Sequence, residues 1–327
     1  MTGCIVGWAH SKFGKLEGQD VEALIVEAST NVMADAGVGP EDIDAIYLGS
    51  FNNGFADQDF PSSLVLQADE RFRFKPATRV ENACATGSAA IHQGLNFLEA
   101  KQGEIVLVVG VEKMTDTPGP DIGGILMKAS YLKEDSEIEG GFAGVFGQIA
   151  QQYYQKYGDQ SDALAKIAAK NHKNGVGNPW AQLRKDLGYE FCREISDKNP
   201  IVAGPLKRTD CSLVSDGAAA VVLTDTETAL TMKKAVIFRS RSHVNDYLPM
   251  GRRDMSQLEG CAKAWANALS DGKLTLDDLS MVETHDCFTM AELMEYEAMG
   301  LTKLGKGAQA LEEGWTEKDG KLPVNPS

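Results

Sequence analysis

The run Ile105-Val106-Leu107-Val108-Val109-Gly110-Val111 constrains this chain more than any other segment. A strand with one wet face alternates apolar and polar residues. This run is apolar almost throughout, so it belongs at the centre of a sheet covered on both faces. Strand-like and helix-like stretches alternate around it. Strands are expected over 4–9, 43–49 and 78–82, and helices over 21–36 (ended by Gly37), 59–68 and 89–100. That rhythm predicts an α/β fold with a parallel-rich sheet.

From Lys113 to Thr209 the rhythm breaks. Pro118, Pro120 and the glycines at 119, 123 and 124 mark a loop, and helices are expected over 148–157 and 162–172. So long a stretch without strands reads as an inserted, mostly helical subdomain over the sheet edge, where lids and binding loops lie. The apolar stretch 217–223 returns as a buried strand. A strand over 236–243, a helix over 256–269, a strand over 281–284 and a helix over 291–299 complete the order. A weak internal repeat aligns Asp42–Ser50 with Asp278–Asp286, each behind an amphipathic helix and a glycine, Gly37 or Gly272. We therefore expect two similar halves, 1–112 with 210–230 and 231–327, with 113–209 inserted. The second half reads as incomplete, because it reaches only a third-strand candidate at 322–326 before Ser327.

The 327 residues carry 32 basic and 47 acidic side chains, a net charge of -15. That balance argues against nucleic acid or an anionic membrane as the main partner, but leaves room for a local basic patch that meets an anionic small ligand. Cysteines at 4, 84, 192, 211, 261 and 287 show no metal-like or disulfide-like spacing, so no metal site is expected. The amino-terminal residues lack the pattern of a secretory leader, and no run reaches the ~20 apolar residues of a membrane span. A reducing cytoplasm is the expected compartment.

Cys84 lies in Asn82-Ala83-Cys84-Ala85-Thr86-Gly87-Ser88, between a strand and a helix. The positive end of a helix dipole favours thiolate over thiol. Small neighbours let a substrate approach the sulfur. Cys84 is therefore a candidate nucleophile for acyl transfer, and a structural cysteine at a tight turn is the competing reading. A second cluster, Glu283-Thr284-His285-Asp286-Cys287-Phe288, also comes after a strand and before a helix. Ligands of open α/β sheets bind beyond the carboxyl ends of strands, so Cys84, His285 and Cys287 could meet there. Histidine can stabilise an oxyanion or move a proton, and a cysteine of suitable pKa can act as acid or base. A buried His–Asp pair with a core cysteine would look the same. His172, in Lys170-Asn171-His172-Lys173-Asn174, could meet an anionic ligand or simply end a solvated helix.

These motifs resemble the sterol-carrier-protein-type branch of the thiolase superfamily. The resemblance rests on Asn82–Ser88, on Cys211-Ser212-Leu213-Val214-Ser215-Asp216-Gly217, and on His285-Asp286-Cys287-Phe288, where most thiolases carry Asn-Glu-Ala-Phe. It implies a five-layer αβαβα fold with two pseudo-symmetric halves and a loop domain that covers coenzyme A. It also implies that Cys84 carries the acyl group, that His285 stands in the oxyanion hole, and that Cys287 is the acid/base at the substrate α-carbon. Ser212 would contact the pantetheine arm and Phe288 would line the same tunnel. The substrate would be acyl-CoA, with no covalently bound cofactor. The resemblance implies as partners a second copy, as a homodimer or homotetramer, and a small OB-fold acyl-CoA-binding protein. A related lyase, or an acyl-CoA-binding subunit completed by a partner, fits the same motifs. Family members continue past the segment matching Pro323–Ser327 into a Gly-His-Pro motif, whose histidine activates the nucleophile. The chain therefore reads as a fragment or truncated form of such a protein.

Overall fold

The computed structural model describes residues 3–52 and 54–327; Met1 and Thr2 of the amino-terminal stretch lie outside them. In chain order the elements begin with β1 (Cys4–His10), α1 (Val21–Ala36), β2 (Ala45–Gly49), α2 (Pro61–Leu64), β3 (Ala77–Val80), α3 (Thr86–Glu99) and β4 (Ile105–Glu112). The insertion supplies α4 (Gly119–Met127), α5 (Leu132–Asp135), α6 (Gly141–Tyr157), α7 (Ser161–Gly175), α8 (Gly188–Arg193) and the short pair β5 (Ile201–Ala203) and β6 (Leu206–Lys207). Then come β7 (Gly217–Thr224), α9 (Thr226–Ala229), β8 (Val236–Ile237), α10 (Glu259–Gly272), α11 (Thr289–Ala298) and α12 (Gly307–Glu312). The chain forms two compact units, Met1–Ile125 with Val214–His243, and Leu126–Leu213 with Val244–Ser327.

The first unit is built on a six-stranded sheet in the order β3-β2-β4-β7-β1-β8. The central position of β4 is a consequence of its composition. Leu107, Val109 and Val111 pack with α1 residues such as Leu24, Ile25 and Val32, while Val106 and Val108 pack with Ala90, Leu95 and Leu98 of α3. Each of these buried aliphatic side chains stabilises the unit by about 1.5–3 kcal/mol relative to exposure. α1 starts where Asp20 accepts from the Ala23 amide at 2.8 Å and stops at Gly37, whose φ of 74° is open to glycine at little cost. β2 runs parallel to β3 and β4, but β7 is antiparallel to both β4 and β1. The sheet is thus mixed, which corrects the expected parallel-rich sheet. A buried apolar strand carries no mark of its direction, and β7 enters after an insertion of about a hundred residues rather than after one crossover helix. The strand expected over 236–243 shortens to β8, and the helix expected over 59–68 becomes α2 and then a 3-10 turn over Val65–Ala68.

The second unit is mostly helical. α11 is buried on every side, with Met290, Leu293, Met294 and Tyr296 packed among residues of α6, α7 and α12. The internal repeat is visible in its backbone. α1 and α10 both end in a left-handed residue, Gly37 and Lys273. Both lead into a 3-10 turn whose last residue, Asp42 or Asp278, accepts from an amide three residues back at 2.8 Å. Beyond the turn the two copies diverge. Asp42–Ser50 feeds β2, whereas the strand expected over 281–284 is reduced to one parallel bridge, Val282 to Val324. That bridge is also all that forms of the third-strand candidate at 322–326. Its hydrogen bonds are Val282 N–H to Pro323 O and Asn325 N–H to Val282 O, both 2.8 Å.

Candidate functional site

In the first unit, Cys84 sits in a 3-10 turn, Ala83–Ala85, between β3 and α3. Ala83 adopts φ 46°, a left-handed conformation that costs a non-glycine residue about 1–2 kcal/mol. Thr86 holds the turn closed. Its hydroxyl donates to Ala83 O at 2.6 Å and accepts from the Asn82 amide at 2.8 Å. Gly49, at the end of β2, makes room, since a Cβ there would meet Thr86 Cγ2 at 2.7 Å. The end of a sheet strand therefore sets the height of the cysteine turn. Cys84 is exposed on this unit, yet the protein packed around the thiol pushes its pKa up, only partly offset by its own backbone amide. This tempers the expected thiolate. The helix start is present, but desolvation favours the neutral thiol.

In the second unit, the turn between the Val282 bridge and α11 carries His285, Asp286 and Cys287. Two sequence-distant motifs meet there. The Ser212 amide donates to Cys287 O at 2.9 Å, Cys211 and Phe288 form an antiparallel bridge, and the Thr289 hydroxyl donates to Asp210 at 3.0 Å. Asp210 is itself buried and paired with Lys207 at 2.7 Å. The His285 ring reaches solvent, while the protein behind it holds its pKa below the usual histidine range. A neutral imidazole still donates one N–H, as an oxyanion donor must.

Beside this turn lies a groove of about 610 Å³ whose lining includes His172, Lys198, Arg208, Ser212, Leu213 and Asp286. His172 and Ser212 thus stand where a ligand could lie. Burial lowers the pKa of His172, so Lys198 and Arg208 are the stronger cations for an anionic ligand. Phe288 does not line the groove. It is 6% exposed and stacks on Phe146 with ring centroids 4.2 Å apart. The family resemblance implied a tunnel wall, but as the residue that opens a buried helix Phe288 joins the core. Cys84 belongs to the other unit.

Three residues that sequence reasoning passed over hold the turn from behind. Lys170, buried on α7, pairs with Glu292, buried on α11, at 2.9 Å. Asn171 donates through one amide nitrogen to Asp286 at 2.5 Å and to Glu292 at 2.6 Å. The only signal was the Lys-Asn-His triplet, which a solvated helix end would also show. Among the described residues no group of three or more His, Cys, Asp or Glu could hold a metal, and no helix is long and apolar enough to cross a membrane.

Residues 4–189 match the family model for the thiolase N-terminal domain, and residues 242–327 match that described as thiolase C-terminal domain-like. The chain is 33% identical over 327 residues to an acetyl-CoA acetyltransferase of Methanothermobacter thermautotrophicus, covering 99% of this chain and 83% of that protein. It is 29% identical over 353 residues to sterol carrier protein 2 of Bos taurus, covering 99% of this chain and 61% of that one. Among solved structures, the Ltp2-ChsH2(DUF35) aldolase superposes with a TM-score of 0.84 at 19% identity, over 99% of this chain and 84% of its own. The expected α/β thiolase fold is therefore borne out, and the chain belongs to the thiolase family.

Proposed function

We propose that this protein is an acyl-CoA C-acyltransferase of thiolase type. The observation that carries the reading is Cys84, presented to solvent on a strained turn at the start of α3. In the cleavage direction, its sulfur attacks the keto carbonyl of a 3-ketoacyl-CoA. The C–C bond to the α-carbon breaks, the electron pair passes to that carbon, and Cys287 supplies its proton. Coenzyme A then attacks the Cys84 thioester and leaves as acyl-CoA. His285 donates to the oxyanion that develops on a thioester carbonyl, a task a neutral imidazole performs without losing charge. Because desolvation favours the Cys84 thiol, attack requires a base that accepts its proton in the reaction.

Coenzyme A is assigned to the groove bounded by Ser212 and Leu213. Lys198 and Arg208 offer the positive charge its phosphates need, which reconciles an anionic ligand with an acidic protein. A homodimer or homotetramer, and a small OB-fold acyl-CoA-binding partner, belong to the same proposal.

Incubation of the native protein with acetyl-CoA should leave one acetyl group on Cys84, read by peptide mass spectrometry. No adduct, together with full turnover by Cys84→Ala, would sink the reading. A lyase acting on aldol adducts of coenzyme A thioesters is the second reading, supported by the fold shared with the Ltp2-ChsH2(DUF35) aldolase. Carbon–carbon cleavage that survives Cys84→Ala, with no acyl-enzyme, would favour it.

A further inference from the structure

The Lys170–Asn171 pair does more than close a helix end. Asn171 uses every polar position it has. Its amide nitrogen serves Asp286 and Glu292 together, and its oxygen accepts from the Lys170 ammonium at 2.6 Å. Lys170 spends its remaining protons on Glu292 at 2.9 Å and Val324 O at 2.6 Å. Glu292 is sealed from solvent and receives four donors: Lys170 and the Tyr296 hydroxyl on one oxygen, and Asn171 and Asn325 on the other. The loop is closed on its far side, where the Thr284 amide donates to Asn325 and the Thr284 hydroxyl to Glu295.

Asp286, Glu292 and Glu295 share the space with one ammonium. Glu292 pairs with Lys170 and takes three further donors. Asp286 accepts from the Asn171 amide and lies close enough to Glu292 to feel its charge. Burial first, and then the Glu292 charge, raise its pKa to about 8. Burial likewise raises Glu295 to about 8. The other titratable groups near Asp286 are Lys170, Tyr296 and the groove residues His172, Lys198, Arg208 and Asp210. Asp286 therefore stands with one edge in the groove and the other locked to a buried network, between His285 and Cys287 in the chain.

We propose that Asn171 is a positioning residue of the reaction: by donating to Asp286 and Glu292 together, it fixes the Asp286 side chain and thereby the His285–Cys287 turn. The inference rests on the roles proposed for His285 and Cys287, since it explains how those two groups are aimed. Asparagine suits the post because it donates two hydrogens and accepts at its oxygen without adding charge. Asn171→Asp would place a fourth carboxyl in the seat and oppose Asp286 acceptor to acceptor.

The test compares steady-state kinetics of the native protein with those of Asn171→Asp, Asp286→Asn and Cys287→Ala on the same acyl-CoA from pH 6 to 10. Asn171→Asp should lower kcat by about 10–100-fold with KM changed less than about threefold, the mark of lost aim rather than lost binding. The native protein should lose kcat above about pH 8, as Asp286 ionises against Glu292. Asp286→Asn keeps the shape of the seat, should fold, and should flatten that alkaline limb. If Asn171→Asp and Asp286→Asn both retain the native kcat and limb while Cys287→Ala is inactive, the positioning role is overturned and the acyltransferase reading stands. If Cys84→Ala and Cys287→Ala both retain full turnover, both ideas fall. If Asn171→Asp does not fold, an unchanged alkaline limb in Asp286→Asn is enough to overturn the proposal.

Discussion

Asp42–Ser50 and Asp278–Asp286 begin alike and end differently. Each comes after a helix with a left-handed cap and a 3-10 turn closed by an aspartate. The first then enters a six-stranded sheet, and its last glycine meets Thr86 beneath the Cys84 turn. The second makes one bridge and hands its His285–Cys287 turn to side chains: Lys170, Asn171, Glu292 and Asn325. One candidate cysteine, Cys84, is placed by a backbone ladder and tight packing. The other is placed by a buried polar network. Ladders tolerate side-chain change and fail on steric insult, whereas networks fail when one member is lost, because its partners stay buried and unpaired.

Perturbations of either placement should separate the two regimes. The largest effect is expected at Cys84 itself. Cys84→Ala should cut turnover by more than about a thousandfold and leave the melting curve unchanged, because the side chain is exposed. Lys170→Met strikes the network and strands Glu292. It should cost about 3–5 kcal/mol in urea unfolding, and a loss below about 1 kcal/mol would show that the pair does not hold the turn. His285→Ala should lower kcat by about 100–1,000-fold without destabilising the protein, as expected for one oxyanion donor. Gly49→Ala tests the ladder side. Its new methyl would press on Thr86, costing about 1–3 kcal/mol and slowing Cys84 acylation, while titration of the Asp286 turn should not change.

A separate effect is one of pH. Asp286 and Glu295 hold protons in the folded state to about pH 8, while an unfolded aspartate or glutamate releases them near 3.8 or 4.5. Their stabilisation is complete below those lower values and is lost as pH rises to about 8. Stability measured across that range should fall with pH, and Asp286→Asn should lessen the slope.

The legible parts of the molecule were those whose signal is local. The apolar run at Ile105–Val111 marked a central strand, Gly37 marked a helix end, and the small residues around Cys84 marked a tight strand–helix turn. The His285-Asp286-Cys287 cluster stood out in the sequence as a candidate site. The network that holds it was not. Asn171 lies 121 positions before Glu292 and reads as part of a solvated helix end. Glu292, Glu295 and Glu297 make α11 look half-exposed, yet all three are buried, because Lys170, Thr284, Tyr153 and the Gly307 amide partner them from elsewhere and Tyr296 partners Glu292 within the helix. The direction of β7 was hidden for a similar reason: burial on both faces erases the alternation that orients a strand.

By itself, then, the sequence determined the order of elements, the tight turn at Cys84 and the paired helix-end and 3-10 turn signals before Asp42 and Asp278. Each of these depends on φ/ψ preference, capping or periodicity within a few residues. Only the tertiary structure decided which way β7 runs, that Met281–Thr284 makes a bridge rather than a strand, that Phe288 joins the core, and that Lys170 and Asn171 face Asp286 and Glu292. Those outcomes depend on which distant groups share a buried space, where an unpaired charge costs several kcal/mol and partners must be found wherever the chain brings them.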